Sequence, residues 1–279
     1  MSNPAGAPSA PPGAGPQPVA ALSFFFPAHD EAENIEALVT EALAALPALA
    51  TRFEIIAVDD GSRDGTGDLA DALAAAHPDV VRAVHHAVNQ GYGAALRSGF
   101  QAARYPFVAF TDGDRQFRVA DLGRLLARLE AGDAGGAGGD RGPIPLDVVV
   151  GYRQHRADAL VRLVYARAYR WCLRLFFGLA VRDVDCACKL FRREALAGVR
   201  LESGGAFLSA ELLIKLRARG ARLAQVGVPH HPRVAGRASG ADPRVVLRAV
   251  RDFWRLRLRL WRDREGALSR GVPVLADEA

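Results

Sequence analysis

The stretch Phe107-Val-Ala-Phe-Thr-Asp112-Gly-Asp114-Arg-Gln116 carries an apolar strand straight into two carboxylates separated by one small residue. A short apolar run bounded by turn formers reads as a buried strand. Hard oxygen ligands arriving together at a strand end suit Mg²⁺ or Mn²⁺, ions that keep few protein ligands and share the rest of their shell with substrate phosphates. The spacing therefore predicts a nucleotide diphosphate as substrate. Taken alone, Asp-x-Asp is equally an ordinary solvated turn, so the rest of the chain has to decide.

Upstream of this stretch, strand and helix patterns alternate: Val19–Phe26 apolar, Glu31–Leu46 helical, Phe53–Val58 apolar, Gly65–Ala76 helical, Val80–His85 strand-like, Gly93–Ala103 helical. Downstream come a helix at Val119–Leu129, a Gly-rich loop at Gly132–Gly142 and a strand at Leu146–Val150. Such alternation predicts a mostly parallel sheet flanked by helices, an α/β fold. In such sheets ligands bind beyond the carboxyl ends of the strands. Four ends turn polar or Gly-rich here: Pro27-Ala-His29-Asp30-Glu31, Asp59-Asp60-Gly61-Ser62, Asn89-Gln-Gly91-Tyr-Gly93 and Asp112-Gly-Asp114-Arg-Gln116. One is a turn, but four in sequence make a crevice. A dinucleotide site is disfavoured, because Gly91-Tyr-Gly93 lacks its third glycine at Leu96 and no acidic residue follows at the required distance.

The second half has a different composition. Residues 1–150 carry 10 basic and 19 acidic side chains and residues 151–279 carry 26 and 12, so a net charge of +5 conceals halves of −9 and +14. A basic half attracts phosphates. It begins with a helical stretch at Ala157–Gly178, followed by a short polar segment at Asp183–Arg193, a helix at Leu208–Arg219, a strand at Arg222–Val228, a loop at His230–Ala241 and a helix at Pro243–Arg264. The first and last helices interleave Trp, Phe and Leu with arginine, which is the composition of an interfacial membrane helix. Core packing, or docking on a partner, is the alternative for both. Nucleic acid is a poor match, since the acidic first half leaves no basic stripe across a whole face. Residues 1–18 are Pro, Gly, Ala and Ser without periodicity and predict a disordered arm; residues 266–279 predict a flexible tail. Three cysteines, Cys172, Cys186 and Cys188, are too few for a disulfide framework, and no signal peptide or run of about 18 apolar residues is visible. Together these predict a cytoplasmic protein that meets the membrane only at its surface, and inert buried cysteines.

These motifs resemble those of the inverting glycosyltransferases of family 2, which have the GT-A nucleotide-sugar fold. Pro27-Ala-His-Asp-Glu31 is similar to the family's Pro-Ala-Tyr-Asn-Glu, and Val58-Asp-Asp-Gly-Ser-Arg-Asp-Gly-Thr66 and Asn89-Gln-Gly-Tyr-Gly-Ala-Ala-Leu-Arg-Ser-Gly-Phe100 match equally well. The Asp112, Asp114, Gln116 pattern is most similar to the polyprenyl-phosphate (dolichyl-phosphate) sugar synthases, mannose synthases among them. The likeness spans roughly Leu22 to Gly240 and implies a domain at residues 19–240, with an amphipathic helix at 241–265 appended.

The resemblance implies roles. Pro27, His29, Glu31, Val58 and Asp60 would line the base and ribose pocket, with Gly113 and Lys189 on the nucleotide sugar, and Asp112, Asp114 and Gln116 on the metal and diphosphate. His29 departs from the family's aromatic residue. Asp30 replaces Asn, and as a helix cap it would serve the first helix. Val149-Val-Gly-Tyr-Arg153 implies that Arg153, with Arg156 and Arg162, grips an acceptor phosphate. Val181-Arg-Asp183-Val-Asp185-Cys-Ala-Cys188-Lys189-Leu-Phe-Arg-Arg193 resembles the segment near sugar and acceptor. His230, His231 and Arg233 resemble the loop that closes on the diphosphate, with Arg233 on the leaving group and Arg237 and Ser239 in place of the usual Ser-Lys. The implied reaction moves a sugar from a GDP- or UDP-sugar to a polyprenyl phosphate at the inner face of the membrane. Two readings stay open beside it: transfer to a hydroxyl acceptor with Asp183, Asp185 or Glu211 as base, and a non-catalytic nucleotide-binding scaffold. A membrane-protein partner or a homo-oligomer is the remaining expectation.

Overall fold

The apolar runs become strands because branched and aromatic residues pack well on a pleated surface buried on both faces. The computed structural model describes residues 17–133, 143–154, 160–233 and 243–275. The first half runs β1 (Val19–Ala28), α1 (Ala32–Ala45), β2 (Ala50–Asp59), α2 (Thr66–Ala76), β3 (Val81–His85), α3 (Tyr92–Ala102), β4 (Phe107–Phe110) and α4 (Leu122–Ala131). The second runs β5 (Val148–Arg153), α5 (Leu160–Phe177), β6 (Lys189–Arg192), α6 (Arg193–Leu196), β7 (Arg200–Leu201), α7 (Leu208–Ala218), β8 (Leu223–Val228), α8 (Pro243–Arg262), α9 (Arg264–Ser269) and β9 (Val272–Pro273). Seven strands form one sheet in the order β3-β2-β1-β4-β6-β5-β8, and only β6 runs against its neighbours. Strand order reverses between β1 and β4, which opens a crevice at their carboxyl ends.

The core is aromatic where those two strands meet. Phe25 of β1 stacks on Phe110 of β4 at 5.2 Å and takes the edge of Phe100 from α3 at 4.9 Å. Helix α3 comes this close because Gly99 faces Phe25: a Cβ there would lie 2.2 Å from the ring. Removing the Phe25 ring would cost about 3–5 kcal/mol, the usual price of a large cavity.

Two expectations need correction. The segment at 183–193, read as merely polar, contains β6, inserted between β4 and β5. Its charged opening residue, Lys189, is fully buried because its ammonium donates to the Cys186 carbonyl and lies 5.3 Å over the Phe110 ring. The tail read as flexible from residue 266 is ordered as far as 275. Helix α9 is capped by Asp263, β9 pairs with β7, and Val274 and Leu275 are buried. The expected arm falls almost wholly outside the described residues, as does 134–142 of the Gly-rich loop.

Candidate active site

The loop after β1 is shaped by side chains from the loop after β2. Asp30 turns the chain with φ +53° and accepts from the Arg63 amide at 2.9 Å, while its own amide donates to Ser62 Oγ. The first amide of α1, at Ala32, donates to Asp64 rather than to Asp30, which corrects the expected cap. Thr66 Oγ1 receives the Glu31 amide, so that Glu31 stands at the mouth of the crevice.

Asp60 anchors the loop after β3. One oxygen accepts from the Gln90 amide at 2.8 Å and pairs with His86 Nδ1 at 2.6 Å; the other accepts from the Gly91 amide at 2.8 Å. His86 reaches on to Ser98 Oγ at 2.8 Å; Asp60 is buried and His86 is half-buried. The carboxylate thus moulds the 89–91 loop. Val58 is fully buried in β2, so its side chain packs in the core instead of facing a ligand. Pro27 is buried at the end of β1, and His29 is exposed, with Nε2 3.6 Å from Asp30.

The two carboxylates of the opening stretch stand at the end of β4. Asp112 Oδ1 accepts from the Tyr92 hydroxyl at 2.9 Å. Asp114 Oδ2 meets Arg233 Nη2 at 2.6 Å, and Arg233 Nη1 lies 3.4 Å from Glu31. Gln116 binds the chain after β8 twice, receiving the His231 amide at 2.9 Å and donating to the His231 carbonyl at 3.3 Å. Between the acids, Gly113 abuts β1, where a Cβ would lie 2.8 Å from the Pro27 carbonyl oxygen. Pro27, Glu31, Asp112, Gly113, Asp114, Gln116 and Arg233 therefore converge.

Electrostatics shows what the crevice lacks. Burial, and then the charge of Asp114, push the Asp112 carboxyl up to about 6. Burial raises Glu31 as well. A carboxyl held up by desolvation and by a neighbouring carboxylate is stabilised in its charged form by a divalent cation. Their oxygens are hard donors, so the residues present fit Mg²⁺ or Mn²⁺. Among the described residues no group of three or more His, Cys, Asp or Glu side chains is placed to hold a metal ion. Lys189 adds a buried positive charge that Asp112 feels from below.

The remaining candidates separate. Arg153 is held bidentately by Asp183, at 2.7 and 2.9 Å, so its guanidinium is already paired. Arg156, Arg237 and Ser239 lie outside the described residues, and Arg162 falls in α5 with its side chain outside the description. Glu211 accepts from the Glu202 and Ser203 amides at 3.0 and 2.8 Å and pairs with buried Lys215 at 2.9 Å, which removes it as a base. His230 packs its ring 5.4 Å from Phe117. Cys186 and Cys188 are free and buried, and burial pushes the Cys186 thiol up to about 12, which fits inert cysteines. Sequence reasoning missed Tyr92 and His86. Tyr92 sat inside a strand end and motif read for its glycines, with no role given to its hydroxyl, and nothing in the pattern tied His86 to Asp60.

Comparison with known proteins agrees with this geometry. The model of the family described as Glycosyl transferase family 2 matches residues 23–200. A polyprenol monophosphomannose synthase of Mycolicibacterium smegmatis is 30% identical over 261 residues, which cover 89% of this chain and 92% of that protein. Glycosyltransferase AglD of Haloferax volcanii is 33% identical over 76% of this chain, but the chain spans only 33% of its length. An undecaprenyl-phosphate 4-deoxy-4-formamido-L-arabinose transferase of Pseudomonas fluorescens is 31% identical over 64% of the chain, with 48% of its own length covered. Among solved structures, glucosyl-3-phosphoglycerate synthase from Mycobacterium tuberculosis superposes with a TM-score of 0.61 at 21% identity, covering 85% of this chain and 79% of that one. The mannosyltransferase of Pyrobaculum calidifontis, solved with GDP-Man and Mn²⁺, gives 0.56 at 20% identity, covering 87% and 62%. With its crevice at the β1–β4 switch point and its motifs in register, the chain has the GT-A fold and belongs to glycosyl transferase family 2.

Proposed function

We propose that this chain is a metal-dependent, inverting glycosyltransferase that moves one sugar from a nucleotide-diphosphate sugar to a polyprenyl phosphate. The observation that carries the donor half is the Asp112–Asp114 pair, the first half-buried and the second buried, which faces Glu31, Gln116 and Arg233 across one crevice. Asp112, Asp114 and Gln116 would hold Mg²⁺ or Mn²⁺, which when bound offsets the charge of the departing diphosphate. Arg233 supplies a second positive charge on that side. Glu31 and His29 stand at the crevice mouth, where base and ribose enter.

The acceptor half rests on which groups are occupied. A hydroxyl acceptor needs a general base, whereas a lipid phosphate is already anionic and needs only to be positioned. Of the three candidate bases, Asp183 is neutralised by Arg153 and Glu211 by Lys215 and two amides, while Asp185 is exposed and stays the candidate for the hydroxyl-acceptor reading. A phosphate acceptor dispenses with such a base. The relatives named for polyprenyl-phosphate chemistry support the same choice.

Helices α5 and α8 support a membrane-borne acceptor. They meet through Phe176 against Phe253 and Trp254, at 5.7 and 5.1 Å. Leu247, Val250, Trp254, Leu258 and Trp261 nevertheless form an exposed stripe along α8, flanked by exposed Arg248, Arg251, Arg255 and Arg262. Trp171 and Leu175 are exposed on α5. No helix among the described residues is long and apolar enough to cross a membrane. The stripe would rest in the headgroup layer of the cytoplasmic leaflet, with its arginines on anionic lipid.

The test incubates the protein with membrane lipid extract, Mn²⁺ and radiolabelled GDP- or UDP-sugar. Label should appear on an acid-labile polyprenyl phosphate sugar. Label on a saccharide or a protein, and none on lipid, would overturn the acceptor assignment. Thermal melts with GDP, UDP and dTDP, each with and without Mn²⁺, would identify the base, since a selective ligand raises stability by mass action.

A further inference from the structure

We infer that Arg233 is an internal counter-cation which occupies the metal-binding carboxylate until a metal–nucleotide complex replaces it, so that metal alone binds poorly and the two enter together. This inference rests on reading Asp112 and Asp114 as metal ligands. Arg233 spans the crevice, with one guanidinium nitrogen 2.6 Å from Asp114 and the other 3.4 Å from Glu31. Its side chain is about one quarter exposed, whereas those of Asp114 and Glu31 are 6% and 13% exposed, so both acids are largely withdrawn from water and screening. The neighbouring acid is treated differently: Asp112 is met by the neutral Tyr92 hydroxyl. Arg233 therefore supplies positive charge beside the Asp114 and Glu31 carboxylates, as Lys189 does for Asp112.

The exchange is balanced in charge. A divalent cation arriving alone must break the Arg233–Asp114 pair and leave the guanidinium with only Glu31. A metal carried on a diphosphate brings phosphate oxygens, to which a planar guanidinium binds in the same forked way as to a carboxylate. Arg233 then trades Asp114 for the diphosphate and arrives on the leaving-group side as the metal arrives on the aspartates. One residue thus couples metal entry to placement of the second cation, and a metal without its nucleotide finds the position taken.

The test measures Mn²⁺ binding directly, by the electron paramagnetic resonance signal of the free ion, with wild-type protein and with Arg233→Gln and Arg233→Lys. Without nucleotide, Arg233→Gln should bind Mn²⁺ about tenfold more tightly than wild type, a change equivalent to about 1.4 kcal/mol. Arg233→Lys, which keeps the charge, should stay near wild type. With GDP or UDP present the order should reverse, wild type binding Mn²⁺ more tightly than Arg233→Gln. In Arg233→Ala, low-millimolar guanidinium chloride should weaken Mn²⁺ binding, whereas sodium chloride at equal ionic strength should not. Unchanged or weaker binding of Mn²⁺ alone by Arg233→Gln overturns the inference, as does guanidinium without effect on Arg233→Ala. Failure of wild type to bind Mn²⁺ even with GDP or UDP would instead overturn the metal reading itself. Should one variant not fold, the other two and the wild-type comparison with and without nucleotide still decide.

Discussion

The corners after β1 and β2 and the far end of the sheet handle acid differently. In those corners acids are met by backbone amides, hydroxyls and histidine: Asp59 by Ser62 and His85, Asp60 by Gln90, Gly91 and His86, and the exposed Asp64 by Ala32 and Thr66, whereas Glu54, buried inside β2, pairs with Arg82. Around β5 and α7 they are met by full cations, Asp183 by Arg153 and Glu211 by Lys215. Acids of the first kind shape loops. Acids of the second kind neutralise buried positive charge, and the arginines not needed for that stay on α5 and α8. Asp112, met by the Tyr92 hydroxyl, and Asp114, met by Arg233 from the chain after β8, draw on both kinds within one motif, which sets the crevice apart.

The comparison breaks most easily at Lys215, which is fully buried and donates to the carbonyls of Arg200 and Arg270 besides pairing with Glu211. Lys215→Met should lower unfolding free energy in urea by about 3–5 kcal/mol, because it strands a buried carboxylate. A loss below about 1 kcal/mol would mean that the cation is dispensable, and the contrast between the two ends would dissolve.

The next largest effect divides the acids of the first half. Asp114→Asn should reduce sugar transfer on the order of 10²–10³-fold, as does removing other groups that face developing charge. Asp60→Asn should act on folding instead and cost about 1–3 kcal/mol, since it weakens the acceptor for two buried amides. Paired activity and melting measurements test this division; a variant of Asp60 that melts normally but is inactive would return Asp60 to the nucleotide pocket.

Smaller and opposite in sign is the pH response of Asp112. Its carboxyl stands at about 6 in the folded chain against an ordinary value of 3.8, owing first to burial and then to Asp114. The folded state thus holds the proton more tightly than the unfolded one. The stability this group contributes is fully present below pH 3.8 and lost as pH rises through about 6. Ligand-free protein should therefore show a positive contribution on moving from pH 7.5 to pH 5 that vanishes in Asp112→Asn, read by melts of both proteins. Mn²⁺ binding should change the other way and fall as Asp112 takes up its proton.

The smallest stability effect belongs to the exposed stripe. Leu247→Ser with Trp261→Ser should leave unfolding free energy within about 0.5 kcal/mol of wild type, yet abolish co-sedimentation with vesicles of anionic phospholipid. Retained vesicle binding would free α8 for a protein partner.

The two ends also differ in how far they can be read from sequence. The parallel strands near β1 were legible because each apolar run stops at a polar or glycine-rich corner, and the acids of the crevice stand at those corners. Strand β6 was not, because Lys-Leu-Phe-Arg looks polar until the Cys186 carbonyl and the Phe110 ring cover its lysine. Asp60 and Asp114 look alike in sequence. What distinguishes them is the partner that folding brings, a loop of amides for one and a distant arginine for the other. The same holds for Glu211, whose position suggests a base until two amides and a lysine consume it.

Position 113 carries a further consequence. A methyl group there would lie 2.8 Å from the Pro27 oxygen, so the residue that separates the two aspartates also sets the gap between the neighbouring strand ends. In a motif pattern it is the wildcard. In this molecule it works as a shim of zero thickness: any side chain at that position would wedge the aspartates away from β1 while leaving both in the sequence, and a search for the motif would score the damaged protein as intact.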